Sequence, residues 1–176
     1  MRLYEKLTGI CCMLPVVCLA MLVCVFPAYA ESDSEPEPVP DCLVINEVCT
    51  SNYKSAPQNN GKYCDWVELF NSSDTETIRL SDYYITDSKK VTPDNPGDKD
   101  KLFKLPGIDL YPHQYTVIWF SDDMEDIFHT GFGLDSEKDN VYLYHGETLV
   151  DYVEPREIPV NCSYGRDNDF GGFVYF

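Results

Sequence analysis

The chain has 176 residues, with 30 acidic side chains against 13 basic and a formal net charge of −17 at pH 7. A chain so negative repels nucleic acid and anionic lipid. No local basic patch offsets this, because Lys89-Lys90 and the lysines from Lys99 to Lys104 are interleaved with or flanked by aspartates. No nucleic-acid partner is expected, and the length is that of one domain able to bury a core.

The first thirty residues read as a leader. Arg2 and Lys6 give a positive start, Ile10 to Phe26 is almost wholly apolar, and Ala28-Tyr29-Ala30 supplies small residues at the cleavage positions. This pattern predicts a secretory signal peptide over residues 1–30, removed after Ala30. The apolar run is near the lower limit for a span of about 20 residues, which makes a retained membrane anchor the competing reading; after cleavage no membrane span is expected. Cys18 and Cys24 each follow valine, which argues against a lipid attachment site. The leader carries Arg2 and Lys6 against Glu5, so its loss leaves the chain one unit more negative. Residues 31–41 (ESDSEPEPVPD) are acidic and proline-rich and read as a solvated linker.

Four cysteines follow the leader, Cys42, Cys49, Cys64 and Cys162. An even number in an exported chain predicts disulfides, and three pairings are possible. Cys49–Cys64 with Cys42–Cys162 ranks first. The former closes one loop, worth roughly 3 kcal/mol in the chain-entropy model, and the latter ties the start of the domain to its end. Zinc is the competing use, but no CxxC spacing or histidine cluster supports it.

From Cys42 the chain alternates short strand patterns with turn signals. Leu43–Val48 and Asp65–Asn71 each interleave apolar and polar residues, as strands with one buried face require, around a polar loop with Pro57 and Gly61. Further strand patterns follow at Ile78–Ser88, Leu102–Leu105, Gln114–Phe120, Asn140–His145, Glu147–Glu154, Cys162–Asp167 and Phe170–Phe176. The pair flanking His145-Gly146 reads as a hairpin. The only helical bid is Ser121–Phe128, one or two turns with Ser121 as N-cap. Many short strands with little helix predict an all-β sandwich over residues 42–176.

Several motifs carry a more specific signal. Ile45-Asn46-Glu47-Val48 and Asp65-Trp66-Val67-Glu68-Leu69-Phe70-Asn71 are followed in order by Leu80 to Asp87, Tyr115 to Trp119, Asp139 to Tyr144, Leu149-Val150-Asp151 and Ser163-Tyr164-Gly165-Arg166. Read together, these resemble the lamin tail domain, covering nearly all of Cys42 to Phe176. The resemblance implies an immunoglobulin-like β-sandwich of the type found in exported and cell-surface bacterial proteins. No heptad rod lies in residues 31–41, so the likeness is to the domain and not to a lamin. It implies an interaction module, with no catalytic residue, metal or cofactor to carry over.

The residues themselves offer few catalytic arrangements. Glu47 and Glu68 sit mid-strand on neighbouring strands, and an acid–base pair needs two carboxylates facing one cleft. Asn71 reads as a turn residue. Asp94 to Asp100 is the nearest approach to a calcium loop, yet it lacks the required order and holds Lys99 among the oxygens. Asp122, Asp123, Glu125 and Asp126 form a second acidic group with the same weakness. His113, His129 and His145 lie in separate turns, none beside a nucleophile.

The remaining candidates are aromatic. Tyr83, Tyr84, Tyr142, Tyr144 and Tyr152 on an exposed sheet face would make a protein- or glycan-binding platform. The expectation is a non-catalytic module, secreted or at the cell surface, that binds a surface protein or glycan. A structural spacer in a larger surface assembly is the alternative, and an accessory domain of a metal-dependent hydrolase or nuclease comes third.

Overall fold

A computed structural model describes residues 37–123, 126–137, 139–155, 157–167 and 172–176. The leader (1–30), the first part of the linker (31–36), Glu125 and Phe170 lie outside the described residues.

Eleven strands are present among the described residues: β1 (Leu43–Cys49), β2 (Asp65–Asn71), β3 (Ile78–Arg79), β4 (Tyr83–Thr86), β5 (Leu102–Lys104), β6 (Asp109–Leu110), β7 (Tyr115–Phe120), β8 (Val141–His145), β9 (Thr148–Val153), β10 (Tyr164–Arg166) and β11 (Phe173–Tyr175). They form a five-stranded sheet in the order β11-β10-β1-β2-β7, a four-stranded sheet in the order β5-β4-β8-β9, and a small β3-β6 ribbon. Every pairing between these strands is antiparallel. The result is an all-β, immunoglobulin-like sandwich.

Period-two alternation explains which side chains fill it. Leu43, Ile45 and Val48 of β1, Val67 and Leu69 of β2, and Ile118 and Phe120 of β7 are buried in one core with Ile85 of β4, Val141 and Leu143 of β8, and Val150 and Val153 of β9. Two inner faces that interdigitate in this way exclude water from a single apolar layer.

β1 is irregular at one point, and the irregularity matters. Its register with β2 shifts between Ile45 and Glu47, a bulge that keeps Leu43, Ile45 and Val48 all facing inward. Beyond the bulge β1 pairs with β10 only at Glu47 and Val48. At Ile45, side chains take the place of a strand neighbour. Its N–H donates to Asp151 Oδ2 at 2.8 Å, and its carbonyl accepts from Arg166 Nε at 3.1 Å. The chain before β1 meanwhile lies along β9, where Val39 N–H donates to the Leu149 carbonyl at 2.9 Å.

Two expected segments differ in detail. The run Ile78–Ser88 is not one strand, because a 3-10 turn at Leu80–Asp82 separates β3 from β4 and lets the chain change sheets. The described part of Ser121–Phe128 is bend and turn instead of helix, with Ser121 Oγ accepting from Asp123 N–H at 3.1 Å.

The disulfide expectation is corrected: among the described residues no disulfide joins Cys42, Cys49, Cys64 or Cys162. Cys42 and Cys162 lie at opposite ends of β1. Val48 is opposite Tyr164, and Asn161 N–H donates to the Ser51 carbonyl at 2.9 Å. A seven-residue strand spans about 23 Å at ~3.3 Å per residue, whereas a disulfide needs Cα atoms within about 7 Å. Cys49 and Cys64 each have a different partner. Cys49 Sγ donates to the Cys162 carbonyl at 3.1 Å, and Cys64 Sγ accepts from Gln58 Nε2 at 2.5 Å. Burial raises the Cys49 thiol above its ordinary pKa, which leaves it a weak nucleophile.

Candidate functional site

The family-motif residues hold the fold together. Glu47 and Glu68 are cross-strand neighbours, and each is engaged: Glu68 Oε1 accepts from Asn46 Nδ2 at 2.8 Å, and Ser163 Oγ donates to Glu47 Oε1. Burial raises the Glu68 carboxyl, the amide of Asn46 opposes the rise, and Glu47 adds to it. No cleft separates the two carboxylates for a substrate, since they lie in adjacent register on one sheet. Gly165 has a steric reason. A Cβ there would sit 2.8 Å from Glu47 Cγ and 2.9 Å from the Asn46 carbonyl oxygen.

Asn71 is fully buried at the far end of β2. Its Nδ2 donates to the carbonyls of Glu76 (2.8 Å) and Leu110 (2.9 Å), and its Oδ1 accepts from Ser73 N–H at 3.0 Å. Trp66 stands opposite Trp119 on β7, Leu69 belongs to the core, and Tyr164 packs against it half-buried. These are architectural roles.

The aromatic platform is likewise corrected. Tyr83, Tyr142 and Tyr144 are buried, and Tyr84 and Tyr152 are half-buried. Tyr83 points inward, its hydroxyl donating to Asp41 Oδ1 at 2.8 Å and its ring stacked on His145 at 4.3 Å. On the other face Tyr142 and Tyr144 form a second apolar cluster with Leu149, flanked by Tyr84 and Tyr152. Alternation fixes which face a side chain takes; it does not say what covers that face.

The acids and histidines do not converge. Among the described residues no group of three or more His, Cys, Asp or Glu side chains could hold a metal ion. In the Asp94–Asp100 loop, Asp94 accepts from Thr92 Oγ1 at 2.6 Å and Asp98 from Asp100 N–H at 3.3 Å. His113 meets Asp74 at 3.2 Å, and His145 meets Asp41 at 3.0 Å. His129 is buried between Asp126 (2.8 Å) and Gln58 (3.3 Å).

One end of the sandwich is open. Residues 50–53, 63–65, 120–122 and 133–136 border a cleft of about 500 Å³, lined by Thr50, Ser51, Asn52, Tyr53, Tyr63, Asp65, Asp122, Asp135 and neighbouring residues. The side chain of Asn52 builds its wall. Asn52 Nδ2 donates to the carbonyls of Ala56 (2.6 Å) and Cys64 (2.9 Å), and Oδ1 accepts from Ser55 N–H, Ser55 Oγ and Ala56 N–H. Tyr53 N–H donates to Asn161 Oδ1 at 2.8 Å, tying the loop to the chain before β10. On this fixed support Tyr53 is 71% exposed and Tyr63 42%. Asp65, at the base, is pushed up to about 6 by burial, against backbone hydrogen bonds from Asn52 and Leu134.

The cleft was not legible as a site because its residues sit in a polar loop without periodicity. The only signal available was a pair of tyrosines among Ser, Asn and Gly.

A two-sheet antiparallel domain with an engaged motif lattice and an open loop end defines an immunoglobulin-like module. The lamin tail domain family model matches residues 38–157, and the chain belongs to that family, an immunoglobulin-like and typically non-enzymatic one. The match ends before β10, so the roles of Ser163, Gly165 and Arg166 rest on the contacts given above. Searches of curated proteins and of solved structures return no match.

Proposed function

We propose that this protein is a non-catalytic interaction module of the cell surface or extracellular space, exported by its leader, that meets a surface protein or glycan with its loop end. The observation that carries the reading is Tyr53, a large side chain 71% exposed on a loop immobilised by Asn52. Loops at the end of a rigid sandwich commonly carry binding. Rigid tyrosines among Ser, Asn and Gly give contact area at low entropic cost, the logic of antibody paratopes. The cleft has that composition.

Retention on isolated bacterial envelope tests this reading, comparing the protein with a Tyr53→Ala/Tyr63→Ala variant of equal thermal stability. The proposal expects retention to fall at least about tenfold, the loss of roughly 1.4 kcal/mol of contact energy. Equal retention would favour the spacer role. Export has a separate readout: mass spectrometry of the secreted form should find Glu31 as its first residue.

A further inference from the structure

We propose that the loop-end cleft recognises a basic side chain, arginine above lysine, presented by a partner polypeptide. This rests on the cleft being the binding site and adds the chemistry of what enters it.

Among the described residues no cation meets the Asp65 carboxyl. Asp151 is met by Arg166 Nη2 at 3.0 Å, and Asp87 is met by Lys101 Nζ. Each of these buried aspartates therefore has an internal cation. Asp65 is the third aspartate whose carboxyl burial raises, and the hydrogen bonds it receives come from the neutral backbone amides of Asn52 and Leu134. Of the residues lining the cleft, Asp65, Asp122 and Asp135 are acidic and none is basic. A cation supplied from outside would complete the pattern.

Two features select the kind of cation. Tyr53 and Tyr63 line the same cleft as the carboxylates, and an aromatic face together with an acid attracts guanidinium more strongly than ammonium. Thr50 is only 4% exposed, lines the cleft, and keeps its Oγ1 buried without a hydrogen-bond partner. A guanidinium has five donors in a planar fork, enough for a carboxylate and one more acceptor. A neutral glycan would use the rings and hydroxyls but leave Asp65 uncompensated. The net charge of −17 steers basic partners toward the protein and anionic ones away.

Titration calorimetry of the protein with an arginine hexapeptide, at physiological salt, tests the inference. A glutamate hexapeptide and maltohexaose serve as comparison ligands. The arginine peptide should bind, the lysine analogue more weakly and the glutamate peptide not at all. Tyr53→Ala and Asp65→Asn should each weaken binding about tenfold, as expected for losing one cation–π or charge-assisted contact. Asp94→Asn, in a loop away from the cleft, removes the same charge and should leave the affinity unchanged. If Asp94→Asn weakens binding as much as Asp65→Asn, the attraction is diffuse and the inference is overturned. If maltohexaose binds in a Tyr53-dependent way and the arginine peptide does not, the inference falls while the cleft keeps its role. If the arginine peptide does not bind and Tyr53→Ala/Tyr63→Ala also leaves envelope retention intact, both readings fall.

Discussion

Asp151 and Arg166 meet at 3.0 Å across the gap between the two sheets, and together they complete the hydrogen bonding of a third residue, Ile45. Asp151 belongs to the four-stranded sheet and Arg166 to the five-stranded one, so the pair is a polar bolt through an otherwise apolar seam. Removing one partner strands a buried charge and an unpaired backbone group. Asp151→Ala is expected to cost about 3–5 kcal/mol in denaturant unfolding. Arg166→Lys should cost less, about 1–3 kcal/mol, because one ammonium cannot reproduce a fork serving two acceptors. A loss below about 0.5 kcal/mol for Asp151→Ala would show that the bolt is not structural.

Gly165 gives a steric prediction. Its missing Cβ is the space occupied by the Glu47 side chain and the Asn46 carbonyl. Gly165→Ala should destabilise by about 1–3 kcal/mol, the usual range for overpacking. Trimming Glu47 to alanine in the same chain should recover part of this and not all, since the Asn46 carbonyl is backbone and stays. Full recovery would mean that β10 moves freely over β1.

The strands were the legible part of this protein, because apolar and polar residues interleave along the long ones. Asp65–Asn71 shows its buried Val67 and Leu69 directly in the letters. The hairpin around His145-Gly146 is equally direct, its turn carrying Gly146 at φ 57°. The bulge at Asn46 left no mark, since an inserted residue changes the phase of alternation without changing residue types. Cys42 and Cys162 look like natural partners in a linear reading; only the register of β10 on β1 reveals that a whole strand separates them. Tyr142 and Tyr144 read as exposed in the sequence and are buried in the structure, on the opposite side of the sheet from Tyr83. Asn52 could not be singled out, because five hydrogen bonds made by one amide depend on where a loop folds back.

Asp65 should make stability depend on pH in a defined direction. Its folded pKa, about 6, lies above the ordinary 3.8, so the folded chain holds this proton more tightly than the unfolded one. The stabilisation is therefore complete at low pH and is lost as pH rises from about 4 to about 6. Asp65→Asn keeps an acceptor for the two backbone amides and removes the cost of a buried charge. The variant should melt a few degrees higher than the parent at pH 7 and decline less steeply across that window, the rest of the slope belonging to Glu68, Asp87 and Asp151, whose carboxyls burial also raises. An unchanged slope in the variant would assign the pH dependence to other carboxyls.

The cysteines offer a topological check. After oxidation with glutathione disulfide under native conditions, peptide mapping should find no Cys42–Cys162 linkage. Recovery of that bridge from folded protein would contradict the pairing of Glu47 and Val48 with Gly165 and Tyr164.

Hydrogen exchange of the protein bound to isolated envelope, compared with the free protein, reads the working surface most directly. Slowed exchange is expected in residues 50–65, 120–122 and 133–136, which border the cleft. Protection confined to β4, β8 and β9 would instead return the function to the aromatic face around Tyr84 and Tyr152 and contradict the loop-end assignment.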